Sequence, residues 1–294
     1  MTRLLGIRIG KRKKKENTML YEESVIKKAV IYSVLIILTF LSTLPLIWML
    51  SSSLKYDADV FSLPIRWIPE NPVWSNYVKF WTKLDFPIFT YNSFKLAITV
   101  TLIQVLTCSF AAYGFSKCYF KGRDTLFFFY IATIAIPWQV YMLPQYVEMR
   151  MLGLINSHLG YVFLHAFSAF GVFLARQFYL SIPNELLDAA RIDGLNDYGI
   201  YFRIVLPLSK PVLATLSIFT FVSVWNDFMG PMIYFDSMNK KTIPLGIRMF
   251  IGQYATEYGL IMAASVVSLV PVFAVFLAFQ RFFVEGIATS GLKG

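Results

Sequence analysis

The residues best equipped for chemistry in this 294-residue chain are few, and their spacing suits catalysis poorly. His158 and His165 stand seven residues apart, close to two helical turns, so one helix face could carry both and relay protons or hold a metal. No acidic pair accompanies them within the same apolar stretch, so interfacial or helix-bridging histidines are expected and a metal site is not. Asp227, in Trp225-Asn226-Asp227, is the one carboxylate that a membrane-spanning segment would bury. Charge inside a bilayer is costly, which makes Trp225, Asn226 and Asp227 candidates for a solute path or gate; a carboxylate at the water boundary is the competing reading. Cys108 and Cys118 form neither a metal-ligand spacing nor a disulfide framework. No Ser-His-Asp, paired-carboxylate or His-rich constellation occurs at a workable spacing, so no catalytic residue is assigned. The run from Gly6 to Lys11 is too short for a phosphate loop and lacks the Ser or Thr after Lys. If ATP and Mg drive this protein, another chain binds them.

The elements that hold these residues are set by where charge is missing. Hydrophobic residues make up 57% of the chain and charged ones only 15%, against about 25% in a soluble domain. The scarce charges bracket six long uncharged runs. Lys28 and Lys55 enclose 26 residues, Lys95 and Lys117 enclose 21, and Asp124 and Glu148 enclose 23. Arg150 and Arg176 enclose 25, and Glu257 and Arg281 enclose 23. About 20 helical residues cross a bilayer, so each of these five suffices. Lys210 and Asp227 enclose only 16, and that span is placed at about 212 to 235. An all-α, six-span membrane protein follows, because lipid leaves backbone polar groups no partner outside the helix itself. The first apolar run is too long for a signal peptide and lacks a cleavage site, so it reads as a retained anchor.

Lysine and arginine counts orient the spans. With the N-terminus inside, the inner segments hold 18 basic residues and the outer ones eight, with Lys95 at a span edge, so both termini lie in the cytoplasm. The run Lys11-Arg12-Lys13-Lys14-Lys15 then reads as a membrane-surface tail. It lacks aromatic interleaving, so no nucleic acid is expected as a partner. The domain plan is a basic tail (1–27), a first span (28–54), an extracytoplasmic segment (55–91), a core (92–283) and a cytoplasmic tail (284–294).

One inner loop, residues 181–211, carries an unusual pattern: Ser181-Ile182-Pro183-Asn184-Glu185-Leu186-Leu187-Asp188-Ala189-Ala190-Arg191-Ile192-Asp193-Gly194, then Phe202-Arg203-Ile204-Val205-Leu206-Pro207. Pro183 suits a helix start, Glu185 and Asp188 put negative charge in its first turns, and Gly194 permits a left-handed exit. Ala189 and Ala190 keep the helix slim enough for a partner's groove. An amphipathic helix lying on the bilayer is the alternative.

This pattern resembles the loop of binding-protein-dependent ABC importer permeases, Glu-Ala-Ala, three residues, Gly, nine residues, Ile-x-Leu-Pro. Asp188, Ala189, Ala190, Gly194, Ile204, Leu206 and Pro207 fall at those positions, with Asp188 in place of the usual Glu. Trp225-Asn226-Asp227-Phe228, Thr242-Ile243-Pro244-Leu245-Gly246, and Gln280-Arg281-Phe282-Phe283-Val284-Glu285-Gly286 with Gly291-Leu292-Lys293-Gly294 are similar to the carbohydrate-type, MalG-like branch. The resemblance implies a MetI-like core of spans two to six, with the first span added.

It also implies a mechanism. Such a permease sits in the cytoplasmic membrane of a bacterium, pairs with a second, homologous permease and stands on a dimer of ATPase subunits. It imports a carbohydrate, here expected to be an oligosaccharide, that an extracytoplasmic solute-binding protein delivers. Glu185, Asp188, Ala189, Ala190, Asp193 and Gly194 would form the coupling helix. Asp236, Lys240 and Lys241, on the outer loop near the fifth span, would meet the binding protein. An ion-gradient-driven secondary transporter is the alternative class, and it leaves the inner loop without a purpose.

Overall fold

The computed structural model describes the backbone of residues 25–252 and 256–291, with side chains over 27–252 and 256–281. The basic run at 11–15 and the final Leu292-Lys293-Gly294 lie outside the described residues. Among the described residues the chain is helical, and Ile251 and Thr256 form a single isolated bridge.

The chain divides into two units, residues 1–51 and 52–294. Helix α1 (Val25–Ser53) makes up the described part of the first. The hydroxyls of Thr39, Ser42 and Thr43 bond back to carbonyls three or four residues earlier, so α1 presents no unsatisfied polar group there. The second unit begins with a one-turn helix α2 (Asp57–Val60) and α3 (Ser75–Lys83). Asn76 donates to the Ser53 and Lys55 carbonyls, both at 3.0 Å, and Asp57 accepts from Gly259 N at 2.8 Å. Residues 55–91 thereby belong to the same unit as the core.

Helix α4 (Phe86–Lys117) is the central pillar. It begins well before Lys95, because Pro87 fits the first helical turn and a lysine on one face does not stop a helix. Next come α5 (Arg123–Ala132), α6 (Trp138–Met151), α7 (His158–His165), α8 (Ala169–Leu180) and α9 (Asn184–Ile192). They are followed by α10 (Asp197–Leu208), α11 (Lys210–Trp225), α12 (Met229–Tyr234), α13 (Ile243–Arg248) and α14 (Tyr258–Gly291). Helix α4 packs along α8 and α11, and α14 closes on α11 and α3. Two apolar clusters result. One gathers Phe80, Phe86, Phe89, Trp225 and Phe250; the other gathers Tyr113, Tyr179, Leu187, Ile200 and Tyr201.

Among the described residues, three helices are long and apolar enough to cross a bilayer: Lys27–Ser53, Phe86–Lys117 and Tyr258–Arg281. Three further segments are bent pairs. The expected third run breaks by 100° between Ala135 and Trp138, where Pro137 has no N–H to donate and Thr133–Ala135 tightens into a 3₁₀ turn. The fourth bends by 47° between Leu164 and Ala169, where Ser168 caps α8 by accepting from Gly171 N at 3.1 Å. Helices α10 and α11 meet at 76° across Ser209, just before Pro211.

The continuous helix expected over 212–235 is corrected. Helix α11 ends at Trp225, and α12 starts at Met229. The carboxylate of Asp227 accepts from Gly230 N at 3.1 Å and so caps the new helix rather than continuing the old one. A Cβ on Gly230 would push that same carboxylate aside and press on the Tyr161 ring, so glycine leaves this bond undisturbed.

Candidate functional site

The loop over 181–211 is a short helix with a fixed exit. In α9 the Leu187 and Ala190 side chains face inward, 2% and 4% exposed, and pack into the cluster with Ile200 and Val205. The opposite face carries Glu185, Asp188, Ala189 and Asp193, all exposed. The two alanines of the motif thus face opposite ways, Ala189 outward and Ala190 into the protein. Two apolar side chains that the sequence analysis did not single out share the open surface, Leu186 at 48% exposure and Ile192 at 87%. Leu187 and Ala190, three residues apart, share one helix face, and that period alone does not say which of the other apolar residues stay exposed.

The exit is set by Gly194, whose φ of +84° lies in the left-handed region. Leu195 N donates to the Ala190 carbonyl and Gly194 N to the Arg191 carbonyl, each at 3.0 Å, the paired bonds of a Schellman stop. A Cβ on Gly194 would meet nothing within 4 Å, so the position is constrained by its backbone and not by space. Arg191 forks between Asp188 Oδ1 at 2.9 Å and Asp197 Oδ1 at 3.4 Å. Slight burial works against its charge, but the hydrogen bonds and field of the two carboxylates raise its pKa above the ordinary arginine value. Beyond α9 the chain makes a π turn over Tyr201–Val205. Pro207, which cannot donate back along the helix, follows at once. Ile204 and Leu206 are half-buried against the same cluster, while Pro207 is exposed.

A second feature is a cavity of about 370 Å³ among α4, α6, α7, α11 and α12. Gln104, Trp138, Gln145, His165, Ser223 and Asp227 are among its lining. The structure brings Asp227 and His165 together. Tyr161 donates its hydroxyl to Asp227 Oδ2 at 2.6 Å, and His165 Nε2 lies 4.0 Å from the same oxygen. His165 Nδ1 donates to the Tyr161 carbonyl at 2.9 Å, and the two rings stack with centroids 4.1 Å apart. The carboxylate that no residue of the same run supplies to the histidine comes from the break between α11 and α12, 62 positions along the chain. No group of three metal-ligating residues occurs among the described residues.

The other candidates are placed differently. Trp225, 1% exposed, points into the core and donates Nε1–H to the Ser268 carbonyl at 3.0 Å. Asn226 is exposed and donates back to the Val222 carbonyl at 3.0 Å. Asp236 is exposed, and Lys240 and Lys241 are half-buried. Their loop is pinned: Asn92 donates to the Asn239 and Lys241 carbonyls at 2.9 and 2.8 Å, and His158 Nε2 donates to the Lys240 carbonyl at 3.0 Å. His158 therefore bridges helix α7 to this loop.

Comparison with known proteins agrees with this architecture. Residues 104–289 match the family described as "Binding-protein-dependent transport system inner membrane component". The chain is 35% identical over 256 residues to the probable ABC transporter permease protein YurM of Bacillus subtilis, covering 85% of this chain and 83% of that one. It is 32% identical over 259 residues to the lactose transport system permease protein LacG of Rhizobium radiobacter, with 88% and 94% covered. The arabinooligosaccharides transport system permease protein AraQ of Halalkalibacterium halodurans is 31% identical over 261 residues, with 87% and 93% covered. In fold, the chain superposes with a TM-score of 0.78 on a chain of a bacterial ABC transporter involved in the import of the acidic polysaccharide alginate, at 24% identity and over 90% and 99% of the two chains. With the family pattern spanning 104–289 and such relatives matched over most of their length, this chain belongs to the binding-protein-dependent transport system inner membrane components, the permeases of ABC importers.

Proposed function

We propose that this chain is the permease subunit of a bacterial ABC importer that moves a carbohydrate, in particular an oligosaccharide, across the inner membrane by alternating access. In this reading the chain crosses six times with both termini inside: three long apolar helices and three bent pairs, each pair counted as one crossing, support the number, and the excess of basic residues on the inner segments supports the orientation. This chain pairs with a second permease, takes solute from an extracytoplasmic binding protein and hydrolyses nothing itself. ATP and Mg are bound by two ATPase subunits beneath it. The relatives named for lactose and for arabinooligosaccharides support a sugar as cargo.

The observation that carries the reading is the open face of α9. Glu185, Asp188, Ala189 and Asp193 stand outward with Leu186 and Ile192, on a helix fixed behind by Leu187 and Ala190 and stopped by Gly194. A small, rigid, partly apolar knob suits a cleft in a partner, and closure of that partner on ATP turns the knob with the helices behind it. Purification of the chain from native membranes in mild detergent, beside a Gly194→Asp variant, tests this. An ATPase and a second permease accompany the wild type, and the ATPase is lost from the variant. A chain that comes down alone in both cases overturns the proposal.

A further inference from the structure

The lining of the central cavity carries a charge pattern of its own. Among the described residues it holds one carboxylate, Asp227, and no lysine or arginine. Asp227 is satisfied by two neutral donors, the Tyr161 hydroxyl at 2.6 Å and Gly230 N at 3.1 Å, so no hydrogen-bonded cation cancels its charge. His165 stands at 4.0 Å, beyond hydrogen-bonding reach. Because its Nδ1 carries the hydrogen given to the Tyr161 carbonyl, a neutral His165 offers Nε2 only as an acceptor. The Gln104 side chain is held on both ends, donating to the His165 carbonyl at 2.9 Å and accepting from Thr220 at 2.5 Å, and what it still offers is a neutral amide. Trp138 and Tyr234 both donate to Gln145 Oε1, at 2.9 and 3.0 Å, which fixes two aromatic rings at the cavity wall. The surface thus combines acceptors for hydroxyl donors, rigid aromatic faces and one uncompensated negative charge.

We propose that Asp227 makes this cavity selective by charge, admitting neutral polyhydroxylated solutes and disfavouring anionic saccharides such as uronates or sugar phosphates. A neutral sugar donates its hydroxyls to the carboxylate and the imidazole nitrogen. An anion brings only further acceptors and a like charge, and it finds no cationic side chain to receive it. The inference rests on reading the cavity as the solute path and goes beyond it by assigning the sign of the cargo.

The test needs no knowledge of the cargo. Ser223 lines the cavity and is exposed, so Ser223→Cys places a thiol there. In the assembled complex at pH 8, Cys modification on this chain is followed by mass spectrometry with three methanethiosulfonates, one neutral, one bearing an ammonium and one a sulfonate. The same rates are taken with Asp227→Asn added, so each reagent's intrinsic reactivity cancels. One unit charge about 6 Å away in water-like surroundings changes the local concentration of a monovalent ion about threefold. The ammonium-to-sulfonate rate ratio is therefore expected to fall about tenfold when Asp227 is neutralised. Asp227→Ser, which keeps a helix-capping oxygen, repeats the reading if the Asn variant fails to assemble. A ratio unchanged within about twofold overturns the charge proposal while leaving the path reading intact. A thiol that the neutral reagent cannot reach overturns both.

Discussion

Lys117, the last residue of α4, donates to Asn184 Oδ1 at 2.8 Å, at the first residue of α9, and its ammonium also reaches the Ile182 carbonyl at 2.7 Å. One cation thus fastens the central pillar to the start of the exposed loop helix. Only one of these bonds is part-buried, so together they contribute about 1–2 kcal/mol to the local placement of α9. Lys117→Met is expected to lower uptake several-fold while the complex still assembles, and ATP hydrolysis should run without proportionate transport. Comparison of uptake and ATPase rates in proteoliposomes checks this. Lys117→Arg should recover most of the coupling, and wild-type coupling in the Met variant would remove the fastening role.

The acidic side of the fork at Arg191 separates docking from folding. Asp188 is exposed and its pair with Arg191 is worth about 0.2–1 kcal/mol. Asp188→Ala should therefore leave thermal unfolding of the purified chain within a few degrees of wild type. Uptake in cells should nonetheless fall, because the carboxylate stands on the exposed face of α9 that we propose meets the ATPase. A variant that loses expression along with transport would place Asp188 in the fold instead.

Gly194 yields a graded series. Its φ of +84° costs about 1–2 kcal/mol for a residue with a Cβ, but the space around it is open. Gly194→Asn, which tolerates the left-handed region, should retain the most transport, Gly194→Ala less, and Gly194→Asp least, since it adds charge to the docking side. Copurified ATPase, quantified for each, should follow the same order. Equal retention across the three would show that the exit geometry is irrelevant to docking.

Trp225 should behave as a core residue and not as a solute ligand. It is buried, stacks with Phe221 at 5.7 Å between ring centroids, and bonds Ser268 on α14. Trp225→Ala is expected to cost about 3–5 kcal/mol and to reduce the amount of folded chain. Trp225→Phe should keep most of it, and its transport per folded molecule should match wild type for every cargo tested.

How much of this was legible beforehand depends on the kind of interaction. The uncharged runs located the helices, because charge in lipid is costly wherever it falls, and Gly194 was legible because a left-handed exit selects its residue type. Bends were not. Pro137 and Ser168 sit inside runs that satisfy every criterion of length and apolarity, and hydropathy carries no information about a helix changing direction. The Asn226–Asp227 break was hidden for the same reason, since an Asp can cap a new helix as readily as it can end an apolar one. The Asp227–Tyr161–His165 group joins helix α7 to the break between α11 and α12, and no spacing within a helix announces it.

Asp227 caps α12, and α12 is only six residues long, so about 9 Å of rise separates the cavity's carboxylate from Tyr234. Tyr234 gives its carbonyl to Asn156 N at 2.8 Å, and Asn156 in turn holds Ser237 through its side chain at 2.6 and 3.1 Å. One short helix therefore joins the carboxylate in the cavity to the loop that carries Asp236. On the reading of the cavity as a solute path, a displacement of the carboxylate would pass along this short helix to the loop carrying Asp236 without a separate relay.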